Sequence, residues 1–376
     1  MIYLDNAATT LVKPQQVKTA VAAALETCAN PGRGGHRPAM AAAQAVFACR
    51  ETAADFFGLD QPERVVLTQN ATHGLNIAVK NAMAQGGHAV ISGYEHNSVA
   101  RPLEAMKSQG VSYTPAYSRL FDQQDMIDQI EAALQPDTQC VIVNHVSNVF
   151  GFIAPLGEID RLCRQKGLPL IVDASQSAGT LPIRASDYPS AIFICMPGHK
   201  GLYGPQGTGL LLCCGDGPLR SLMEGGTGSN SLETSQPDFL PDIFESGTMN
   251  VPGAAGLQAG ILYVKRRGMD QILAHQRAMM ETLVQGLEGF QGLCCYYCPQ
   301  CQTGVLALTC PLPSEEAARR LADRDICTRA GLHCSPLAHR SAGTLPDGAL
   351  RLSFSCFNTR EEAEETAEII KEMLKK

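Results

Sequence analysis

Lys200 stands in the run Met196-Pro197-Gly198-His199-Lys200-Gly201-Leu202-Tyr203-Gly204-Pro205, just past the apolar stretch Ala191-Ile192-Phe193-Ile194-Cys195. A lysine in a turn marked by glycine and histidine at a strand end is placed to reach a bound cofactor rather than solvent. Twenty-seven residues earlier, Leu168-Pro169-Leu170-Ile171-Val172 runs into Asp173. Such a run puts a carboxylate at a buried strand end, where it is costly without a cationic partner. An amine for an aldehyde and a carboxylate for a ring nitrogen are what pyridoxal 5'-phosphate needs from a protein.

Other residues gain meaning beside this pair. Leu67 ends a strand and a helix starts near Gly74, so Thr72 and the intervening N–H groups suit an anion. Read alone, Thr72 is equally a simple N-cap. His96 follows Gly93-Tyr94-Glu95 and either stacks on a cofactor ring or is an ordinary loop histidine. Asn148 and Gln176 are hydrogen-bonding candidates for the cofactor's phenolic oxygen, or turn formers. Cys334 lies in Arg329-Ala330-Gly331-Leu332-His333-Cys334-Ser335-Pro336, a loop by its glycine and proline. A loop thiol flanked by His and Arg is a candidate nucleophile. With fifteen cysteines in the chain, chance placement beside a histidine is the competing reading. Arg351 opens Arg351-Leu352-Ser353-Phe354-Ser355; facing inward it would grip a substrate carboxylate, and facing outward it is a surface strand residue.

These residues need a scaffold. Short apolar runs at Arg64–Thr68, Ala89–Ile91, Val141–Val143 and Pro169–Val172 alternate with helical patterns at 15–29, 39–57 and 74–84. Alternation of this kind predicts an α/β fold with a largely parallel sheet and helices on both faces. Ligands bind such sheets at the carboxyl ends of the strands. The pattern changes after about residue 257: a helix over 256–267 leaves the first unit. Strands at 304–309 and 350–355 and helices at 314–322 and 359–375 then form a smaller α+β unit. Thr359 with Glu361 and Glu362 suits the last helix's N-terminus. The expected division is a large domain over 13–260 and a small one from 1–12 and 261–376.

The 376 residues are 45% hydrophobic and 18% charged, enough for a sizeable core. A net charge of −7, no basic run and no Trp argue against a nucleic-acid surface. No apolar run approaches the roughly 20 residues of a membrane span. The start, Met1 to Asn6, lacks a secretory pattern. The expectation is therefore a cytoplasmic protein with reduced thiols and no membrane or nucleic-acid partner.

Taken together, the motifs resemble the fold-type I, class V pyridoxal phosphate enzymes. Within these they are most similar to cysteine desulfurases, in the group II, SufS-like branch that includes selenocysteine lyase-like enzymes. The resemblance runs through Tyr3 to Thr10, Asn70 to Asn76, Glu95 to Ser98, His145 to Gly151, Val172 to Gln176, Gly198 to Lys200, Glu245 to Asn250, Arg329 to Cys334 and Asn358-Thr359. It implies that Lys200 carries the cofactor aldehyde, Asp173 pairs with the ring nitrogen and His96 stacks on the ring. Gln176 and Asn148 would contact the phenolic oxygen, and Ala71, Thr72 and His199 would line the phosphate site. Arg351, with Asn148 and His36, would hold the substrate. Cys334 would take the substrate's sulfur as a persulfide, its thiolate favoured by His333 and Arg329. Thr248 would be lent to a neighbouring subunit, which implies a homodimer. L-cysteine, or L-selenocysteine, would be the substrate, and an acceptor protein would receive the sulfur or selenium. Two other readings are a selenocysteine lyase and a class V aminotransferase-like enzyme without sulfur chemistry.

Three positions depart from the family pattern. Pro197 stands where a Ser or Thr phosphate ligand is usual, Ala71 where a second Thr is common, and Leu332 where the first His of a His-His-Cys run stands. One feature is outside the resemblance: Cys294-Cys295-Tyr296-Tyr297-Cys298-Pro299-Gln300-Cys301 packs four thiols into eight residues. The spacing admits zinc, an iron–sulfur cluster or a sulfur relay, but no fourth ligand stands at the usual offset. Incidental surface thiols are the simpler reading, and no metal is expected.

Overall fold

A computed structural model describes residues 1–32, 34–217 and 219–375. Arg33 of the glycine-rich loop and Lys376 at the end of the expected small domain lie outside the described residues. β1 (Ile2–Tyr3), α1 (Gln15–Thr27) and α2 (Arg37–Phe57) come first. Next are β2 (Val65–Thr68), α3 (Ala71–Ala82), β3 (Gly87–Ser92), α4 (Asn97–Ala105), β4 (Val111–Ala116) and α5 (Gln123–Ala132). β5 (Thr138–Asn144), α6 (Leu156–Lys166), β6 (Leu170–Asp173), β7 (Ala191–Pro197) and β8 (Gly209–Cys213) complete the large sheet. Then come α7 (Val251–Arg267), α8 (Met269–Leu287), β9 (Cys294–Tyr296), β10 (Val305–Thr309) and α9 (Ser314–Ala322). β11 (Ile326–Cys327), α10 (Pro336–Ala342), β12 (Leu350–Ser353) and α11 (Arg360–Leu374) end the chain.

The large sheet has the order β2-β8-β7-β6-β5-β3-β4. Its run from β4 to β7 is parallel, and β8 is antiparallel to both neighbours, β7 and β2. The alternating pattern foretold the parallel run but not β8, whose Gly-Leu-Leu-Leu-Cys sequence has no polar alternation because both its faces are covered. Period-2 geometry splits each strand between two cores. Val141, Val143, Leu170, Val172, Ile194 and Met196 pack on one side with residues of α2, α5, α6 and α7. Cys140, Ile142, Ile171, Phe193 and Cys195 pack on the other with α3 and α4. Helices therefore cover both faces, as expected.

The C-terminal part has a three-stranded antiparallel sheet, β12-β10-β9, and a separate core of Met280, Leu283, Leu306, Leu352 and Ile370. Ile2 and Leu4 belong to that core, and β1 pairs in parallel with β11. A capping box of Thr359 and Glu362 starts α11. Two helices start three or more residues earlier than their patterns predict. The side chain of Asn70 accepts the His73 N–H, so α3 begins at Ala71. Asn250 caps α7, which begins at Val251. No helix among the described residues is long and apolar enough to cross a membrane.

Candidate active site

The carboxyl ends of the parallel strands open into one cavity of about 270 Å³. Strand ends and the helix starts that follow them contribute residues to it: Ala71 and Thr72 from α3, His96 before α4, Asn144 from β5 and Asp173 from β6. Pro197 ends β7, and His199 and Lys200 follow it into the cavity. Gln176, Arg329, His333, Cys334 and Arg351 complete the wall. The Lys200 turn lies hard against the segment after Asp173. A Cβ on Gly201 would come within 2.3 Å of the Ala178 carbonyl oxygen, so only glycine allows the two loops to meet here.

Burial sets the electrostatics. Lys200 is pushed down to about 8, chiefly by desolvation, while Asp173 opposes the shift. Asp173 itself is buried and accepts the Ser175 N–H at 2.9 Å. His199 falls to about 4 through burial, and then through the charges of Lys200 and Lys13. Its ring is therefore neutral at pH 7, and its buried Nδ1 has no partner. The His199 carbonyl oxygen is clasped by the Thr10 N–H (3.1 Å) and Lys13 Nζ (3.0 Å), which fixes the base of the turn.

His96 is also lowered by burial, against the pull of Asp173. Its Nδ1 accepts the Ser98 N–H at 3.1 Å, which leaves the ring proton on Nε2. The Ser98 hydroxyl, 2.8 Å from that Nδ1, then donates to it, and the Thr72 hydroxyl donates to Ser98 Oγ at 2.8 Å. The two residues chosen from sequence are thus joined through Ser98, which the sequence reading quoted but gave no role. Glu95 is a second omission. Fully buried, it is pushed up to about 8, first by desolvation and further by Asp173, and accepts from Ser92 Oγ and Asn144 N–H at 2.5 Å each.

Arg351 faces inward, 3% exposed, and lines the cavity. It donates to Asp5 Oδ1 (2.8 Å) and to the Asn148 carbonyl (2.9 Å), and its Nε has no partner. Arg329 pairs with the same Asp5 at 2.9 Å, and its backbone bridges that of Arg351. Asp5 is a third residue without a role in the sequence reading. Its signal was an acid inside the run Tyr3-Leu4-Asp5-Asn6, beside Leu4, which is fully buried.

The Cys334 loop is held by its neighbours. Asn148 Nδ2 donates to the His333 carbonyl (2.9 Å) and Asn148 Oδ1 accepts from Ser335 Oγ (2.7 Å). The Asn97 N–H donates to the Cys334 carbonyl at 2.8 Å. His333 and Cys334 both take left-handed backbone angles, φ 50° and 57°. Cys334 itself is exposed at the cavity. One expectation is corrected here. His333 is pushed down to about 3, mainly by burial and then by Arg351, and is neutral. Its Nε2–H is spent on the Ala349 carbonyl at 2.9 Å. It therefore brings no positive charge to Cys334, and Arg329 is the cation of the loop.

Two further residues lie outside the cavity. His36 is exposed and caps α2, its Nδ1 accepting the Ala39 N–H at 3.3 Å, and it does not line this chain's own cavity. Thr248 is exposed on the segment between β8 and α7 and lines other clefts, so this chain does not use it at its own cavity.

With this geometry in view, residues 2–365 match the aminotransferase class-V family. A probable cysteine desulfurase of Methanothermobacter thermautotrophicus is 32% identical, over 99% of this chain and 94% of the relative. A probable cysteine desulfurase of Aeropyrum pernix is 30% identical, over 100% and 94%. The chain belongs to the cysteine desulfurase family of class V aminotransferases. An apo cysteine desulfurase from Thermococcus onnurineus NA1 superposes with a TM-score of 0.90 at 29% identity, covering 100% of this chain and 94% of that one. Enzymes of this family depend on pyridoxal phosphate. The cavity fits that cofactor: Lys200 is an amine lowered to about 8, Asp173 is a buried acid, and His199 Nδ1 is an unpartnered polar atom that lines the cavity with Ala71 and Thr72 of α3.

Proposed function

We propose that this protein converts L-cysteine to L-alanine, takes the sulfur on Cys334 as a persulfide and passes it to an acceptor thiol. One observation carries the reading: a single cavity brings a lysine lowered to about 8, a buried acid and an exposed loop thiol together. A class V enzyme without sulfur chemistry has no use for that thiol.

Bound pyridoxal phosphate supplies an aldehyde for the substrate amine and a ring that takes up the electron pair left at Cα. Asp173 would pair with the ring nitrogen and keep it protonated, and His96, its ring held by Ser98, would stack on the cofactor. The first-turn N–H groups of α3, Thr72 and His199 would hold the phosphate, while Ala71 and Pro197 line the cavity without a hydroxyl. Gln176 Nε2 donates one hydrogen to the Ala7 carbonyl at 2.8 Å, so its second N–H would be left for the cofactor's phenolic oxygen. Asn148 reaches the same side, but its amide also holds the Cys334 loop.

Arg351 offers Nε–H to the substrate carboxylate. Lys200, close to neutrality, takes the proton from Cα and returns one to the carbon skeleton. The Cys334 thiolate attacks the substrate sulfur: the new S–S bond forms as the Cβ–S bond breaks, and the electron pair stays with the three-carbon fragment. Protonation of that fragment gives alanine. An acceptor thiolate then attacks the outer sulfur and frees Cys334.

Further parts of the proposal rest on similar support. Thr248 completes the phosphate site of a second subunit in a homodimer, consistent with its exposure. Residues 1–12 and 261–376 form one small domain, supported by the core that Ile2 and Leu4 share with α8 and α11. The group II branch is supported by the motifs around His96 and Cys334.

The test is alanine release from L-cysteine and from L-selenocysteine, with Cys334→Ala alongside. Loss with cysteine alone supports the desulfurase reading. Faster turnover of selenocysteine that survives the substitution would make the enzyme a selenocysteine lyase. No alanine from either, with the cofactor's absorbance present, would reject the proposal.

A further inference from the structure

The thiol-rich segment 294–301 has no part in the chemistry above. Among the described residues no three His, Cys, Asp or Glu side chains converge to hold a metal ion, so the zinc and iron–sulfur readings find no ligand set. Cys294 and Cys295 are adjacent in β9, where successive side chains point to opposite faces. Cys298 and Cys301 are arranged differently. Their sulfurs are 3.1 Å apart. The Cys301 N–H donates to the Cys298 carbonyl at 3.3 Å, closing a four-residue turn. Such a turn holds its end Cα atoms within about 7 Å. Disulfides take Cα separations of about 4.4–6.8 Å, with an S–S bond near 2.05 Å. Closing the bond asks the two sulfurs to approach by about 1 Å.

The turn is anchored on both sides. The Cys298 N–H donates to Gln302 Oε1 at 2.8 Å, and Gln302 Nε2 donates to the carbonyls of Phe150 (2.7 Å) and Val305 (2.8 Å). The Cys301 carbonyl accepts the Ile153 N–H at 2.8 Å. The thiols therefore stay opposed. They are also unequal: Cys298 is partly exposed, whereas Cys301 is buried, and burial followed by contact with Cys298 pushes its thiol up to about 12. An accessible first cysteine and a sheltered second one, with two residues between them, is the arrangement of a dithiol that exchanges with disulfides.

We infer that Cys298 and Cys301 form a redox-active dithiol, distinct from Cys334, that is oxidised by small-molecule disulfides. The Cys298 thiolate attacks one sulfur of the oxidant RSSR, forming a mixed disulfide and releasing RS⁻, which takes up a proton. Cys301 gives up its proton as it attacks Cys298 sulfur, displacing the second RS⁻. Two protein thiols are oxidised to one disulfide, and RSSR is reduced to two RSH. The inference stands apart from the desulfurase reading, because it uses no residue of the cavity.

The experiment exposes the full-length, cofactor-loaded protein to oxidised glutathione, blocks remaining thiols with N-ethylmaleimide and maps the peptides by mass spectrometry. The expected result is loss of maleimide labelling at both Cys298 and Cys301 with one internal disulfide joining them. Cys301→Ser is expected to trap a stable glutathione adduct on Cys298, and Cys298→Ser to leave Cys301 unoxidised. Maleimide on both wild-type thiols after treatment, or a stable glutathione adduct on either in place of the internal bond, would overturn the inference. So would oxidation of Cys301 in Cys298→Ser. The wild-type map needs no variant to fold.

Discussion

Lys200 and Cys334 face the same cavity but are held in different ways. Asn144, Asp173 and Pro197 end neighbouring parallel strands, whose spacing of about 4.8 Å the backbone ladder fixes. Lys200 follows Pro197 by three residues, in a turn pinned by Thr10 and Lys13. Cys334 has no strand beneath it. Its place depends on Asn148, Ser335 and Asn97, and on two consecutive left-handed residues. The acid–base half of the site therefore belongs to the fold, while the thiol half belongs to a few polar contacts. A thiol that must meet first the substrate and then an acceptor gains from the second arrangement.

Changes on the Lys200 side should therefore be severe. Lys200→Ala is expected to slow alanine formation by at least about 10³-fold with either substrate. Residual turnover within tenfold of wild type would remove the lysine from the proton-transfer role. Next in size is Asp5→Ala, which leaves the buried Arg351 charge without its carboxylate. The expected loss is about 3–5 kcal/mol of stability, read by denaturant unfolding. A loss below about 1 kcal/mol would mean that solvent compensates Arg351.

Acid should weaken the fold by a comparable amount. His145, His199 and His333 are pushed down to about 4, 4 and 3 by burial. Between pH 6.5 and those values the unfolded chain binds protons that the folded chain refuses, so stability falls as pH drops through that window. Fully buried His145 alone contributes on the order of 3 kcal/mol. Glu95 acts in the opposite sense: raised to about 8, it keeps its proton in the folded state while the unfolded carboxyl has lost it. Its effect is a loss of stability as pH rises from about 4.5 to 8, which Glu95→Gln should flatten. Unfolding curves at a series of pH values check both slopes.

The smallest effect is expected on the thiol side. Ser335→Ala removes one tether of the loop and leaves Asn148 Oδ1 without a donor, which costs about 1–2 kcal/mol in loop order. Sulfur transfer should slow by about tenfold while the cofactor absorbance stays unchanged. Loss of the absorbance band instead would show that the loop also supports the strand-end side.

Much of this was legible in the chain. Strand ends announce themselves as apolar runs stopping at Asn144, Asp173 and Pro197, because parallel strands are covered on both faces. Lys200 and Asp173 could be paired from sequence for the same reason. The relay from Thr72 through Ser98 to His96 was not legible, because it joins the starts of two helices through a serine common at any cap. Asp5 was silent because its partners, Arg329 and Arg351, lie more than 320 residues away. Flanking charge misled at His333: adjacency in sequence says nothing about burial, and burial decides that the ring is neutral. A histidine after a glycine-rich loop is as fit to cap a helix as to bind a ligand, and His36 caps α2.

The most direct measurement is the mass of the Cys334 peptide after brief exposure of the cofactor-loaded protein to L-cysteine, with free thiols then blocked. One added sulfur atom on Cys334 is expected in the wild type and none in Lys200→Ala. Alanine formed with no sulfur on Cys334, or with the added sulfur first on another cysteine, would contradict the proposed role of Cys334.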